Sequence, residues 1–162
     1  MCWVGKTEDI HIAKEDIEVK KVLMKYHDVP CLKYHDVVPC SFVSPYRNVP
    51  YKFDVIYEAT ITPRHPHRPD DGTIIIDAGL HCYSVKCDSS TYKNVHGRVA
   101  VMNIYLLRTF ECTRESHNYV ADISRNPVLM KCIIPAGTTY YENSKGEIVS
   151  EKLIVKEIDN KL

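Results

Sequence analysis

Apolar and β-branched residues concentrate in short stretches, and the clearest of these lies in the C-terminal part of the chain. Residues 128–134 are almost continuously apolar and too few for a typical helix, so they predict a buried strand. Pro135-Ala136-Gly137 interrupts this stretch, because proline cannot donate a ladder hydrogen bond and glycine supplies turn dihedral angles. An extended pattern at 138–141, a turn at 143–146 and a returning strand at 147–155 follow. We expect this β-turn-β-turn-β unit to form the central sheet.

Period-two alternation of apolar and polar side chains also occurs earlier. Residues 17–26 and 51–62 alternate in this way, and residues 73–77 form a short apolar run, so each segment predicts a strand. Residues 1–16 are polar and are expected to be a lead-in. Residues 63–72 are rich in proline and charge and predict an exposed loop.

A short repeat follows the first predicted strand. The chain reads Lys-Tyr-His-Asp-Val-Pro-Cys at residues 25–31 and Lys-Tyr-His-Asp-Val-Val-Pro-Cys at residues 33–40. The repeat is far too short to indicate a solenoid. It predicts either a two-stranded ribbon or a duplicated loop at the edge of the fold.

Residues 98–110 depart from the strand pattern. Val99, Met102, Leu106 and Phe110 lie at helical spacing and predict one main helix, although residues 99–101 are equally compatible with the start of a strand. A chain of 162 residues can bury a core without disulfides. We therefore expect a single α+β domain over residues 1–162, with a compact, mostly antiparallel β-sheet and one main helix.

The charge balance and the apolar runs indicate which classes of partner to expect. The chain has 21 basic and 21 acidic side chains, so there is no basic excess to neutralise phosphates and no nucleic-acid partner is expected. No apolar run approaches the roughly 18 residues of a membrane span, so no membrane partner is expected. The first residues lack the apolar core of a signal peptide, which predicts a cytoplasmic protein. In that reducing compartment an odd count of 7 cysteines argues against a disulfide framework.

Motifs for metal binding and catalysis are missing from the sequence. Histidines and cysteines lie near one another at several places, but no CxxC or HxxxH pair occurs, so no metal is expected. There is also no nucleophile elbow and no glycine-rich phosphate loop. We therefore assign no catalytic residue and no cofactor.

Three separated segments offer groups suited to a nucleotide-like ligand. The first carries a guanidinium that matches phosphate bidentately, the second follows a predicted buried strand, and the third offers tyrosine rings for stacking. The predicted ligand-binding residues are Tyr46, Arg47, His81, Tyr83, Ser84, Tyr140, Tyr141 and Ser150. The alternative is that Arg47 is a surface charge and that the histidine and tyrosines are packed strand residues.

At these segments the chain resembles a group of small, largely uncharacterised proteins of gut-bacterial phages and their hosts. The shared motifs are Ser-Pro-Tyr at residues 44–46, Gly-Leu-His-Cys-Tyr-Ser at 79–84 and Cys-Ile-Ile-Pro-x-Gly-x-x-Tyr-Tyr at 132–141. The order of elements also resembles ADP-ribosyltransferase-type folds. That second resemblance implies a cleft lined by residues 81–84, in which Glu147 or Glu151 polarises a ribose.

The residues and the resemblance together favour a non-enzymatic, phage-type protein that binds and sequesters a small nucleotide-derived immune signal in the host cytoplasm. A homo-oligomer is compatible with this reading, because a second copy can create or close the pocket. The alternative is an enzyme of the ADP-ribosyl-transfer type that acts on NAD or an ADP-ribose derivative. A second alternative is a structural or protein-interaction factor.

Overall fold

A computed structural model of the protein describes residues 3–26, 29–31, 36–38, 41–43, 50–65, 72–87 and 125–161. Strands make up most of this part of the chain. They are β1 (Trp3–Lys6), β2 (Ile10–Ile12), β3 (Ile17–Tyr26), β4 (Val29–Cys31), β5 (Asp36–Val38), β6 (Ser41–Val43), β7 (Pro50–Tyr51), β8 (Ile56–Glu58), β9 (Pro63–Arg64), β10 (Thr73–Ile76), β11 (Leu80–Ser84), β12 (Arg125–Ile134), β13 (Thr139–Glu142), β14 (Glu147–Ser150) and β15 (Lys152–Lys161).

The fold is nearly all β-sheet, so the predicted α+β fold with one main helix is wrong. Within the described residues the only helical element is a 3-10 turn, Thr7–Asp9. Residues 98–110, which carried the helix prediction, lie outside the described residues. The α+β class was inferred from four apolar positions at helical spacing in one segment. The rest of the chain is rich in β-branched and aromatic residues, which fit a half-buried pleated surface.

The larger of the sheets has ten strands. Along its main path the order is β2-β13-β14-β11-β3-β12-β15-β8, and β6 pairs with β3 and with β7. Strands β14, β11 and β3 therefore separate β13 from β12, although a single turn joins β12 to β13 in the chain. The expected β-turn-β-turn-β unit is thus not contiguous in the sheet.

The returning strand that the sequence predicted for residues 147–155 is two strands, β14 and β15. The strand is interrupted at Glu151, where the Ser150 hydroxyl donates to the Lys152 carbonyl at 2.7 Å. The turn before β14 agrees with the prediction. The Asn143 side-chain oxygen accepts from the backbone N–H groups of Lys145 and Glu147, both at 3.0 Å, and Gly146 has a φ of 79°. Asparagine thus accepts local backbone hydrogen bonds and glycine adopts a positive φ, as is typical of turns.

The chain divides into two compact units. The first contains residues 1–21, 53–89 and 130–158, and the second contains residues 22–52, 90–129 and 159–162. In the second unit, β4 and β5 form an antiparallel ribbon in which Val29 lies opposite Val38. This agrees with the ribbon expected from the Lys-Tyr-His-Asp repeat, since β4 belongs to the first copy and β5 to the second.

In the first unit a small three-stranded sheet, ordered β1-β10-β9, packs on the larger sheet. Trp3 is the anchor of this contact: its ring meets Tyr141 edge to face with the ring centroids 5.7 Å apart, and its indole N–H donates to the Glu147 carbonyl at 2.7 Å. Ile74 and Ile76 of β10 and Val149 of β14 complete the cluster. The residues expected to be a lead-in therefore include β1, which carries a core tryptophan.

Gly79 lies where β10 leads into β11. Its φ of 143° is one that side chains with a Cβ rarely adopt, and a Cβ there would overlap the Val149 side chain. Glycine is required on both counts.

Lys21 on β3 is a charged side chain in the interior of the first unit, with 6% of its surface exposed. Its ammonium donates to the His81 carbonyl. Burial lowers the Lys21 pKa from 10.5. Burial likewise raises the pKa of Cys132 to about 12, so that thiol stays protonated at neutral pH. The core thus contains an amine whose charged form is disfavoured.

We predict that Lys21→Met raises the free energy of unfolding by about 1 to 3 kcal/mol near pH 6. The gain should shrink as the pH rises. Between the lowered folded pKa and the unfolded value of 10.5, the unfolded wild type binds more protons than the folded protein, so the stability of the wild type increases with pH. Urea unfolding at about pH 6 and about pH 7.5 measures both effects below the unfolded cysteine pKa of about 8.5.

Lys20→Met is the matched control, because Lys20 is the half-exposed neighbour on the same strand. It measures what the loss of a half-exposed lysine side chain from β3 does to stability at each pH. A Lys21→Met protein that is less stable than the wild type at both pH values would contradict the prediction.

Candidate ligand-binding cleft

A cleft of about 690 Å³ opens along the edge of the larger sheet in the first unit. It lies beside β2 and the loop that joins β2 to β3. Its lining residues are Ile10, His11, Ile12, Ala13, Lys14, Glu15, Ile17 and Tyr140. The volume falls within the roughly 300 to 1,000 Å³ of small-molecule sites.

The turn between β12 and β13 fixes the rim of the cleft. The Ala13 N–H donates to the Thr138 carbonyl at 2.9 Å, the Gly137 N–H donates to the Ala13 carbonyl at 2.6 Å, and the Ala136 N–H donates to the Asp16 carboxylate at 2.9 Å. Gly137 has a φ of 83°, which glycine adopts without strain. The protein's own hydrogen bonds thus hold the rim in place, and its anchor is the Pro-x-Gly part of the motif at residues 132–141.

Two stacked rings form one wall. His11 of β2 and Tyr140 of β13 lie directly opposite each other across the strand pair, with ring centroids 5.2 Å apart and ring planes inclined by 29°. Burial raises the pKa of Tyr140, and the Glu142 carboxylate raises it further. The phenol therefore keeps its proton at neutral pH and can both donate and accept a hydrogen bond.

The rest of the lining is mixed. Ile10 and Ile12 are 46% and 67% exposed, which is high for isoleucine, and Ile17 is half-buried. Lys14 and Glu15 are exposed at the rim and supply one charge of each sign. Stacked rings beside rim groups of both charge signs offer a stacking face and polar contacts to a planar ligand.

Cross-strand register places the predicted site residues on two faces of the sheet. Residues directly opposite each other share a face, and neighbours along a strand alternate. Val149 of β14 lies between His81 and Tyr141, so those two residues share one face, as does Tyr83, two positions after His81. Tyr140 and Ser150 lie on the other face.

The predicted residues that the structure describes have different roles. Tyr141 is a core residue against Trp3, and Ser150 is fully buried with its hydroxyl bonded to Lys152. The Ser84 hydroxyl accepts from the Lys86 N–H at 3.3 Å. Tyr46 and Arg47 lie outside the described residues. Of the predicted residues that the structure describes, Tyr140 alone lines the cleft.

His11, Lys14 and Glu15 were not among the predicted site residues, because residues 1–16 were expected to be a lead-in. The available signal was the Ile-His-Ile alternation at residues 10–12. Three residues are too few to identify a strand by period alone, and only pairing with β13 shows that this segment belongs to the sheet.

Within the part of the chain that the structure describes, no group of three or more potential metal-ligating side chains lies together. In the same residues there is no helix with the length and apolar character needed to cross a membrane. Comparisons with protein-family models, with curated proteins and with solved structures give no match. The resemblance to phage and gut-bacterial proteins stays a prediction, and the geometry of the cleft carries the functional argument.

We predict that Asp16→Ala loosens the rim without unfolding the protein. Losing the bond from the Ala136 N–H should cost at most about 1 kcal/mol of global stability, since the bond is exposed. Hydrogen exchange at the Ala136 and Gly137 amides should become faster. Glu15→Ala removes the neighbouring carboxylate and should leave both amides unchanged. Equal exchange rates in the Asp16→Ala protein and the wild type would show that the carboxylate does not anchor the rim.

Proposed function

We propose that the protein binds a small nucleotide-derived ligand in this cleft and sequesters it without altering it chemically. The observation that carries the proposal is the stacked pair of His11 and Tyr140 on the wall of a cleft with a fixed rim. Sequestration requires enclosure and orientation rather than tuned acids or nucleophiles. A phage-encoded protein of this kind would remove an immune signal from the host cytoplasm.

The stacked rings account for affinity toward a nucleobase. Base–aromatic stacking contributes about 1 to 3 kcal/mol per base, and every base has a π face that can stack. Lys14 at the rim supplies a point charge for a phosphate, and Glu15 supplies an acceptor for an exocyclic amine or a ribose hydroxyl. Ile17 adds half-buried apolar surface to the lining.

The alternative, an enzyme of the ADP-ribosyl-transfer type, draws no support from Glu147. This carboxylate is engaged in the hairpin between β13 and β14, where it accepts from the Asn143 side-chain amide at 3.2 Å. Register also places Glu147 on the face opposite to that of Tyr140. Its contacts are those of a residue that stabilises a turn.

We predict that Tyr140→Ala weakens the binding of an adenine nucleotide or of ADP-ribose by roughly tenfold or more, because a stacking face is lost. Tyr140→Phe keeps the ring and should retain most of the affinity. Isothermal titration calorimetry with a panel of mononucleotides, cyclic dinucleotides and ADP-ribose measures the effect. Tyr57→Ala is the matched control, since Tyr57 is a half-buried tyrosine on β8 at the other end of the sheet.

The fate of the ligand separates the two functions. The protein is incubated with the ligand that binds and then heated, and the released small molecules are identified by mass spectrometry. Recovery of intact ligand, with binding unchanged in Glu147→Gln, supports sequestration. A cleaved product that disappears in Glu147→Gln or in Glu151→Gln would replace sequestration by catalysis. No binding from the whole panel would favour a structural or protein-interaction role.

A further inference from the structure

Among the strands that the structure describes, β2 lies at one end of the ten-stranded sheet, with β13 on one side and no strand on the other. Its three residues are exposed, and Ile12 is the most exposed large apolar side chain of the described residues at 67%. An open edge strand with apolar side chains is a template for pairing with another strand. Natural proteins usually protect such an edge.

The backbone of β2 is oriented for such pairing. Just after β2, Ala13 directs both its N–H and its carbonyl toward the β13 side, where they bond to Thr138 and Gly137. Backbone groups alternate sides along an extended chain, so His11 also faces β13. The N–H and carbonyl groups of Ile10 and Ile12 therefore point to the open edge.

The sequence around β2 is complementary to itself in the antiparallel direction. If two copies are centred on His11, Ile10 of one lies opposite Ile12 of the other, and the two outward-facing residues of each strand form about four backbone hydrogen bonds. Beyond the ends of the paired strands, Glu8 of one copy comes to the same end as Lys14 of the other. Glu8 and Lys14 are both exposed. The symmetric arrangement therefore brings unlike charges together twice.

From this edge geometry and this charge pattern we infer that a second copy of this chain is the partner of β2, and that the two copies form a symmetric dimer by antiparallel β2–β2 pairing. Self-complementary apolar and charged positions select the identical strand over an unrelated one. Because β2 also lines the cleft, the second copy adds a wall to it. The dimer does not depend on the proposed ligand, since it follows from β2 alone.

Charge reversal tests the pairing. Sedimentation velocity over a wide range of concentrations should show a reversible dimer for the wild type. Glu8→Lys and Lys14→Glu should each weaken the dimer by roughly tenfold or more, because each creates two like-charge contacts. The double variant Glu8→Lys/Lys14→Glu restores the unlike pairs and should dimerise like the wild type. This restoration also shows that the single variants do not act by unfolding the chain.

An equimolar mixture of the two single variants is the sharpest measurement. A Glu8→Lys copy facing a Lys14→Glu copy has unlike charges at both ends, so the mixture should form heterodimers at concentrations where each variant alone is monomeric. Ile12→Lys should abolish the dimer, whereas Ile56→Lys, which changes an exposed isoleucine of β8 at the other end of the sheet, should not. A monomeric wild type at all concentrations, or a mixture that stays monomeric, would overturn the inference.

Discussion

Three hydrogen bonds between residues 13–16 and the turn at 135–138 join the N-terminal segment to the turn between β12 and β13. They place β2 beside β13, and this pairing brings His11 against Tyr140. Without that contact, β2 would have no partner among the described strands, and the cleft would lose its wall of stacked rings. The turn is therefore as important to the site as any residue that lines it.

Adjacent tyrosines have opposite roles because side chains alternate along a strand. Tyr141 faces the small sheet and packs against Trp3, whose indole N–H is satisfied by the Glu147 carbonyl. Tyr140 faces the other way and stacks on His11 in the cleft. The motif that ends in Tyr-Tyr thus supplies one residue to the core and one to the candidate site. A one-residue slip in register would exchange the two roles.

Charged groups are buried in the interior of the first unit but exposed in the cleft. Lys21 is buried beside two protonated thiols, where burial lowers its pKa. That amine bonds to a backbone carbonyl and has little exposed surface, so it is a structural group. The charges that a ligand can reach in the cleft are those of Lys14 and Glu15 at the rim, where water screens them.

Much of the strand content was predictable from local pattern. Alternation at residues 17–26 and apolar runs at residues 73–77 and 128–134 identified β3, β10 and most of β12, and the Asn143 to Gly146 turn was predicted from residue type. Strands of two or three residues, such as β2, were not identified, because their stability comes from pairing rather than from propensity. The predicted fold class was wrong for a related reason. It was based on helical spacing in one segment, whereas most of the described chain forms strands, many of them short.

The sequence by itself determined which residues are able to form strands and turns, and it identified Tyr140 as a residue suited to stacking. Only the tertiary structure decided strand order and therefore which tyrosine reaches the cleft. It separated β13 from β12 by three strands and paired β13 with β2, more than 120 residues earlier in the chain. The physical reason is that side-chain period is a local property of the chain, whereas neighbours in a sheet are selected by long-range hydrogen bonding and packing.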